Sequence, residues 1–235
     1  MVFAALGVVV IGCIALSAVL SHRRSQPPGN DAEARRSTST NPTSTNSTTT
    51  APITAPPTIT TTTPTGRFVG APGSGPVHGS GRLYTYSTEV EEGSGVDPSE
   101  FAEIVDGILS DPRGWTVDDG VSFQRVASGG AITISLATPA TTDQICLPLQ
   151  TNGKFSCREG SRAVLNLRRW NEGTTDLPLS VDDYRAEVVN HEVGHTLGKG
   201  HVGCGGPGLR APVMMQQSKG LGGCLANPWP TLDGT

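Results

Sequence analysis

Aromatic side chains make up only 5% of this 235-residue chain, with three Trp and three Tyr. So few large rings exclude a core built mainly on aromatic packing, and cross-links or a bound metal must then carry more of the stability. Charge is scarce as well. Lys and Arg number 17 against 21 Asp and Glu, a net charge of −4, which offers no basic surface for a nucleic-acid partner. No C-x-x-C pair occurs, so the spacing of a cysteine zinc ribbon is missing. Residues 25–65 hold no cysteine and almost nothing that could build a core. Ser, Thr, Pro and Asn fill them, with runs such as Thr48-Thr49-Thr50 and Thr60-Thr61-Thr62-Thr63. Such a segment is a disordered, extended linker open to O-glycosylation, the composition of a stalk between a membrane and an outward-facing domain.

What is present begins with an apolar run. Residues 2–20, VFAALGVVVIGCIALSAVL, are long enough to span a bilayer as a helix. A cleavable signal peptide has a shorter apolar core and a basic start, and nothing basic precedes this run. His22-Arg23-Arg24 follow it, and the positive-inside rule taken alone places the next domain in the cytoplasm. Val10-Ile11-Gly12-Cys13 also resembles a lipoprotein cleavage box, but the sequence stays apolar beyond Cys13, which suits a membrane span better. The chain therefore divides into an anchor at 1–21, a linker at 22–65 and a folded domain at 66–235.

Four cysteines lie in that domain: Cys146, Cys157, Cys204 and Cys224. An even count behind an export-type start points to two disulfides in an oxidising compartment. Three pairings are open, and the short separations favour Cys146–Cys157 and Cys204–Cys224. Disulfides and stalk outweigh the charge asymmetry, so the domain is expected outside the cell, anchored through a single pass or secreted if the first segment is cleaved. A monomer is expected.

Within the domain, residues 82–91 (RLYTYSTEVE) alternate and favour a strand. Asp97-Pro98-Ser99-Glu100 opens a helix with Asp as N-cap and Pro at the first position, and Phe101, Ile104, Val105, Ile108 and Leu109 follow at helical spacing. Segments 121–127, 131–138 and 163–170 read as further strands. Ser180-Val181-Asp182-Asp183 opens a second helix with Tyr184, Val188, His191 and His195 on one stripe and Ala186, Val189, Val193 and Leu197 on another. This order gives an α/β (α+β) domain: one mixed, mostly parallel sheet, a backing helix, and a second helix bearing the histidines.

That second helix carries the densest chemistry. Residues 191–201 read H-E-V-G-H-T-L-G-K-G-H and hold three of the five histidines in the chain. His191 and His195 lie one helical turn apart on the same face and can reach one metal ion. Glu192 stands beside them, placed to take a proton from water. Gly198 can adopt positive φ, which ends the helix and brings His201 round as a third ligand. Three protein ligands leave a fourth zinc position open, the mark of a catalytic rather than a closed structural site.

The extended histidine string, followed by Ala211-Pro212-Val213-Met214-Met215 in a glycine-rich segment, resembles the metzincin zinc peptidases. Residues 66–230 also resemble an actinobacterial family with an N-terminal membrane segment, a low-complexity linker and one metzincin-like domain. The resemblance implies a zincin fold with an irregular C-terminal Met-turn subdomain, Met214 as the turn methionine with Met215 in reserve, a Zn2+ cofactor, and a peptide or protein substrate. It implies an extracytoplasmic metallopeptidase with Glu192 as general base. The alternative is a cell-envelope binding or scaffolding module whose zinc is structural. The chain departs from the family pattern at Gln216, where several metzincins place a tyrosine, and in lacking a cysteine-bearing pro-segment. The resemblance further implies a substrate strand laid along a sheet edge, with residues 131–138 as the candidate edge.

Overall fold

The computed structural model describes residues 64–235. The expected anchor at 1–21 and nearly all of the expected linker at 22–65 lie outside the described residues, and no helix among the described residues is long and apolar enough to cross a membrane. In chain order the elements are β1 (Phe68–Gly70), β2 (Val77–Gly79), β3 (Arg82–Glu91), α1 (Pro98–Ser110), α2 (Trp115–Asp118), β4 (Val121–Arg125), β5 (Ile132–Ala137), α3 (Pro139–Ile145), β6 (Cys157–Glu159), β7 (Arg162–Asn166), α4 (Leu167–Glu172) and α5 (Val181–Thr196), followed by two short 3₁₀ turns.

The sheet runs β2-β4-β3-β5-β7-β6, with β1 paired to the far end of β3. The four inner strands β4, β3, β5 and β7 are parallel, and the three-residue strands β1, β2 and β6 are antiparallel to their neighbours. The fold is thus α/β with a mixed seven-stranded sheet. Alternation along β7 separates its two faces. Ala163 and Leu165 join Phe101, Val105, Val189 and Val193 in the main core, while Val164 turns to a second cluster with Ala137 and the Cys146–Cys157 pair. Both disulfides follow the pairing favoured by sequence separation, with Cα–Cα distances of 6.1 Å for Cys146–Cys157 and 5.8 Å for Cys204–Cys224.

Two elements depart from the sequence reading. Segment 163–170 is strand only to Asn166. The Asn166 side chain accepts from the amides of Arg168 and Arg169, caps α4, and turns the chain out of the sheet. Segment 131–138 is not an edge. β5 pairs with β3 on one side and β7 on the other, which its small and apolar sequence on both faces permits. The sheet instead ends at β2 on one side and at β6 on the other.

One carboxylate ties the first described residues to the sheet. Glu91, fully buried at the end of β3, accepts hydrogen bonds from the amides of Thr65 (2.7 Å), Gly66 (2.8 Å) and Thr138 (2.7 Å) and from the Thr141 hydroxyl (2.7 Å). Burial by itself raises its pKa. The hydrogen bonds from Gly66, Thr138 and Thr141 outweigh that and hold the carboxyl below its usual 4.5. Glu91→Ala strands these donors and is expected to cost roughly 3–5 kcal/mol in urea unfolding at neutral pH. The folded pKa lies below the unfolded one, so this stability is present above the unfolded value and is lost as pH falls through the folded one. The gap between wild type and variant should therefore narrow on acidification below about pH 4.5.

Candidate metal centre

The helix that bears the histidines is built to stop at them. α5 starts at Ser180, whose hydroxyl accepts from the Asp183 amide at 3.1 Å. It ends in a Schellman turn: the Lys199 amide bonds Gly194 O, the Gly198 amide bonds His195 O, and Gly198 takes φ of +91°. That turn folds the next residues back so that His201 faces the two helical histidines.

The three imidazoles converge through their Nε2 atoms, 3.3 Å from His191 to His201 and 3.1 Å from His195 to His201. Their other nitrogens are committed. His191 Nδ1 lies 2.8 Å from Val213 O and His195 Nδ1 lies 2.8 Å from Lys199 O. A carbonyl only accepts, so each Nδ1 carries the proton and each of those Nε2 atoms presents a lone pair. A proton on His201 could satisfy one of the two facing lone pairs, never both. A metal ion satisfies all three. Two donors about 2.0–2.1 Å from a tetrahedral zinc sit about 3.3–3.4 Å apart, close to the separations found here. The group can therefore hold a metal ion. Burial lowers the His191 pKa to about 4 against the opposing hydrogen bond to Val213 O, with the charges of His195, His201 and Lys219 adding to the fall, so it stands neutral as a ligand must. Burial also lowers that of His201, with the charges of His195 and Lys219 adding to it. His191 is buried, His195 half-buried and His201 exposed, which leaves one side of the cluster open to solvent.

Glu192 faces the same cavity as His191. It is 5% exposed, and burial, reinforced by the charge of Glu187, pushes its pKa up to about 8. A cation held by the histidines would draw that value down.

Beneath the cluster, the Val213-Met214 turn serves both sides of the site. Val213 O orients His191, and Met214 O accepts from the Val202 amide (3.2 Å) in the segment that carries His201. Met214 packs on α5 at Gly194, whereas Met215 turns toward Ala211 and Cys224. A Cβ on Gly194 would overlap Met214 Sδ and lie 2.9 Å from Trp115 Cζ2. Gly194→Ala gains about 0.5–1 kcal/mol of helix propensity but forces Met214 and Trp115 apart at about 1–3 kcal/mol. The expected result is a net loss in urea unfolding, with metal affinity reduced by roughly 10-fold as the His191 carbonyl partner shifts.

Chain pattern alone did not reveal the groups that hold this turn. Asp233 accepts from the Val213 amide at 2.8 Å. Gln217 and Asn227, both buried, exchange two hydrogen bonds at 2.7 and 2.9 Å, and Asn227 Nδ2 also reaches Ala211 O, Trp229 O and Asp233. Trp115 Nε1 donates to Asn190 O, and Asn190 donates to Pro228 O. Isolated Asn, Gln and Asp residues in an irregular segment carry no spacing that marks them as buried.

Residues 54–230, more than half of the chain, match the family model described as Protein of unknown function (DUF3152). The chain belongs to that family. No curated protein and no solved structure matches it. In this DUF3152 domain every residue of the histidine string, the turn below it and the second disulfide falls within the matched span.

Proposed function

We propose that the protein is a zinc-dependent metallopeptidase of the metzincin type, tethered to the membrane by residues 1–21 with its domain outside the cell. The observation that carries this reading is the pairing of a three-Nε2 cluster, open on one side, with the buried, unpaired carboxyl of Glu192 in an adjoining cavity. A purely structural metal site needs no base beside it. Two disulfides fit an oxidising compartment.

His191, His195 and His201 would hold the zinc, and bound zinc supplies Lewis-acid chemistry, polarising a carbonyl and acidifying water. Glu192 does the proton work. Its carboxylate takes a proton from the attacking water at one Oε and hands it to the departing amine, a role suited to a carboxyl lifted toward neutrality. Val213 O and Lys199 O keep two imidazoles in the required tautomer throughout. The substrate strand has a place at β6, whose outer edge is free among the described strands and which follows directly on Phe155 and Ser156 of the cavity wall. The test is casein or peptide hydrolysis by the purified chain. Hydrolysis abolished by a chelator supports the reading; activity indifferent to chelation contradicts it.

A further inference from the structure

One buried carboxyl of the cavity has no part in that chemistry. Glu187 lies on α5 one turn before His191 and is 5% exposed, and no hydrogen bond or ion pair reaches it among the described residues. Its oxygens have no partner among the described residues and are reached from the cavity, so whatever enters the cavity meets them. The cavity around it has a volume of about 80 Å³ and opens to solvent. Leu149 and Lys219 are exposed and mark the mouth, Phe155 and Val188 add apolar wall, and Tyr184 and Glu187 are buried inside. Lys219 is no partner for Glu187. Its Nζ stands 5.5 Å above the Phe155 ring, and its charge is felt at His191 and His201 rather than at Glu187.

We propose that this cavity receives a Lys or Arg side chain of the substrate next to the scissile bond, its methylene stem against Leu149, Phe155 and Val188 and its cationic end on Glu187. The inference rests on the peptidase reading for the position of that side chain. Apolar walls ending in a carboxyl group, which an arriving cation would hold ionised against its burial, match a long aliphatic stem with a charged tip. A small cation has no use for the walls, and a peptide amino terminus lacks the stem. Glu192 does not substitute for Glu187 here, because it faces the reacting bond.

The experiment uses the full chain, zinc-loaded in detergent, and N-acetylated peptides that carry Lys, Arg, norleucine, citrulline or Glu beside the cleaved bond. Wild type should favour Lys and Arg over norleucine and citrulline by roughly 10²-fold in kcat/KM, and Glu187→Gln should reduce that ratio to below about threefold. A wild-type ratio near one overturns the proposal, and that ratio decides alone if the variant does not fold. An unchanged ratio in a folded Glu187→Gln also overturns it, as does a preference seen only in peptides with a free amino terminus. Binding of the same peptides to zinc-loaded Glu192→Gln separates this inference from its foundation. Tighter binding of Lys and Arg peptides with no cleavage by wild type sinks the peptidase reading and keeps the cationic pocket; no such preference in binding or cleavage ends the pocket.

Discussion

Glu192→Gln should fold, keep its metal and lose peptide cleavage by about 10²-fold or more, the scale of a missing general base. Glutamine preserves the volume of the side chain, and the site is 5% exposed, so packing on α5 is retained. Glu192 makes no hydrogen bond among the described residues that the amide would break. The change even relieves a cost, since burial and the neighbouring Glu187 already disfavour its charged form. Stability should therefore hold or rise slightly while kcat falls. Cleavage by the variant at the parent rate would remove Glu192 from the mechanism.

Zinc should contribute to stability as well as to chemistry. Three imidazoles whose Nε2 atoms converge suit one cation, so a metal would bind the folded state far better than the unfolded chain. At free zinc about a thousandfold above Kd, the linkage amounts to about 4 kcal/mol. Chelation should then lower Tm by roughly 8–16 °C for a domain of this size. His201→Ala removes the third imidazole, brought in across Gly198, and its Tm should respond far less to zinc. Equal zinc content of variant and parent at limiting metal would show that His201 is not a ligand.

The parts of this fold that obey local rules were legible in the sequence. α1 and α5 begin at their Asp97 and Ser180 caps, and β3 spans the alternating segment 82–91. The histidine spacing carries its own geometry, because a helix fixes His191 against His195 and Gly198 fixes the turn. Strand order is different. It depends on which elements pair across the sheet, so β5 read as an edge although it lies inside, and the three-residue strands β1, β2 and β6 are too short to show alternation. Glu187 was missed for the same kind of reason. A glutamate in a helix is usually solvated, and only the packing of Tyr184, Val188 and the 149–156 segment around it makes this one buried.

The most direct test is a zinc titration of metal-free protein, with bound metal and peptide cleavage followed in the same samples. Cleavage should rise in proportion to zinc bound and stop rising at one zinc per chain, the number a single three-histidine site accepts. Saturation at one zinc per chain with no cleavage of any peptide in a broad library would contradict the account and leave a metal-stabilised binding module in its place.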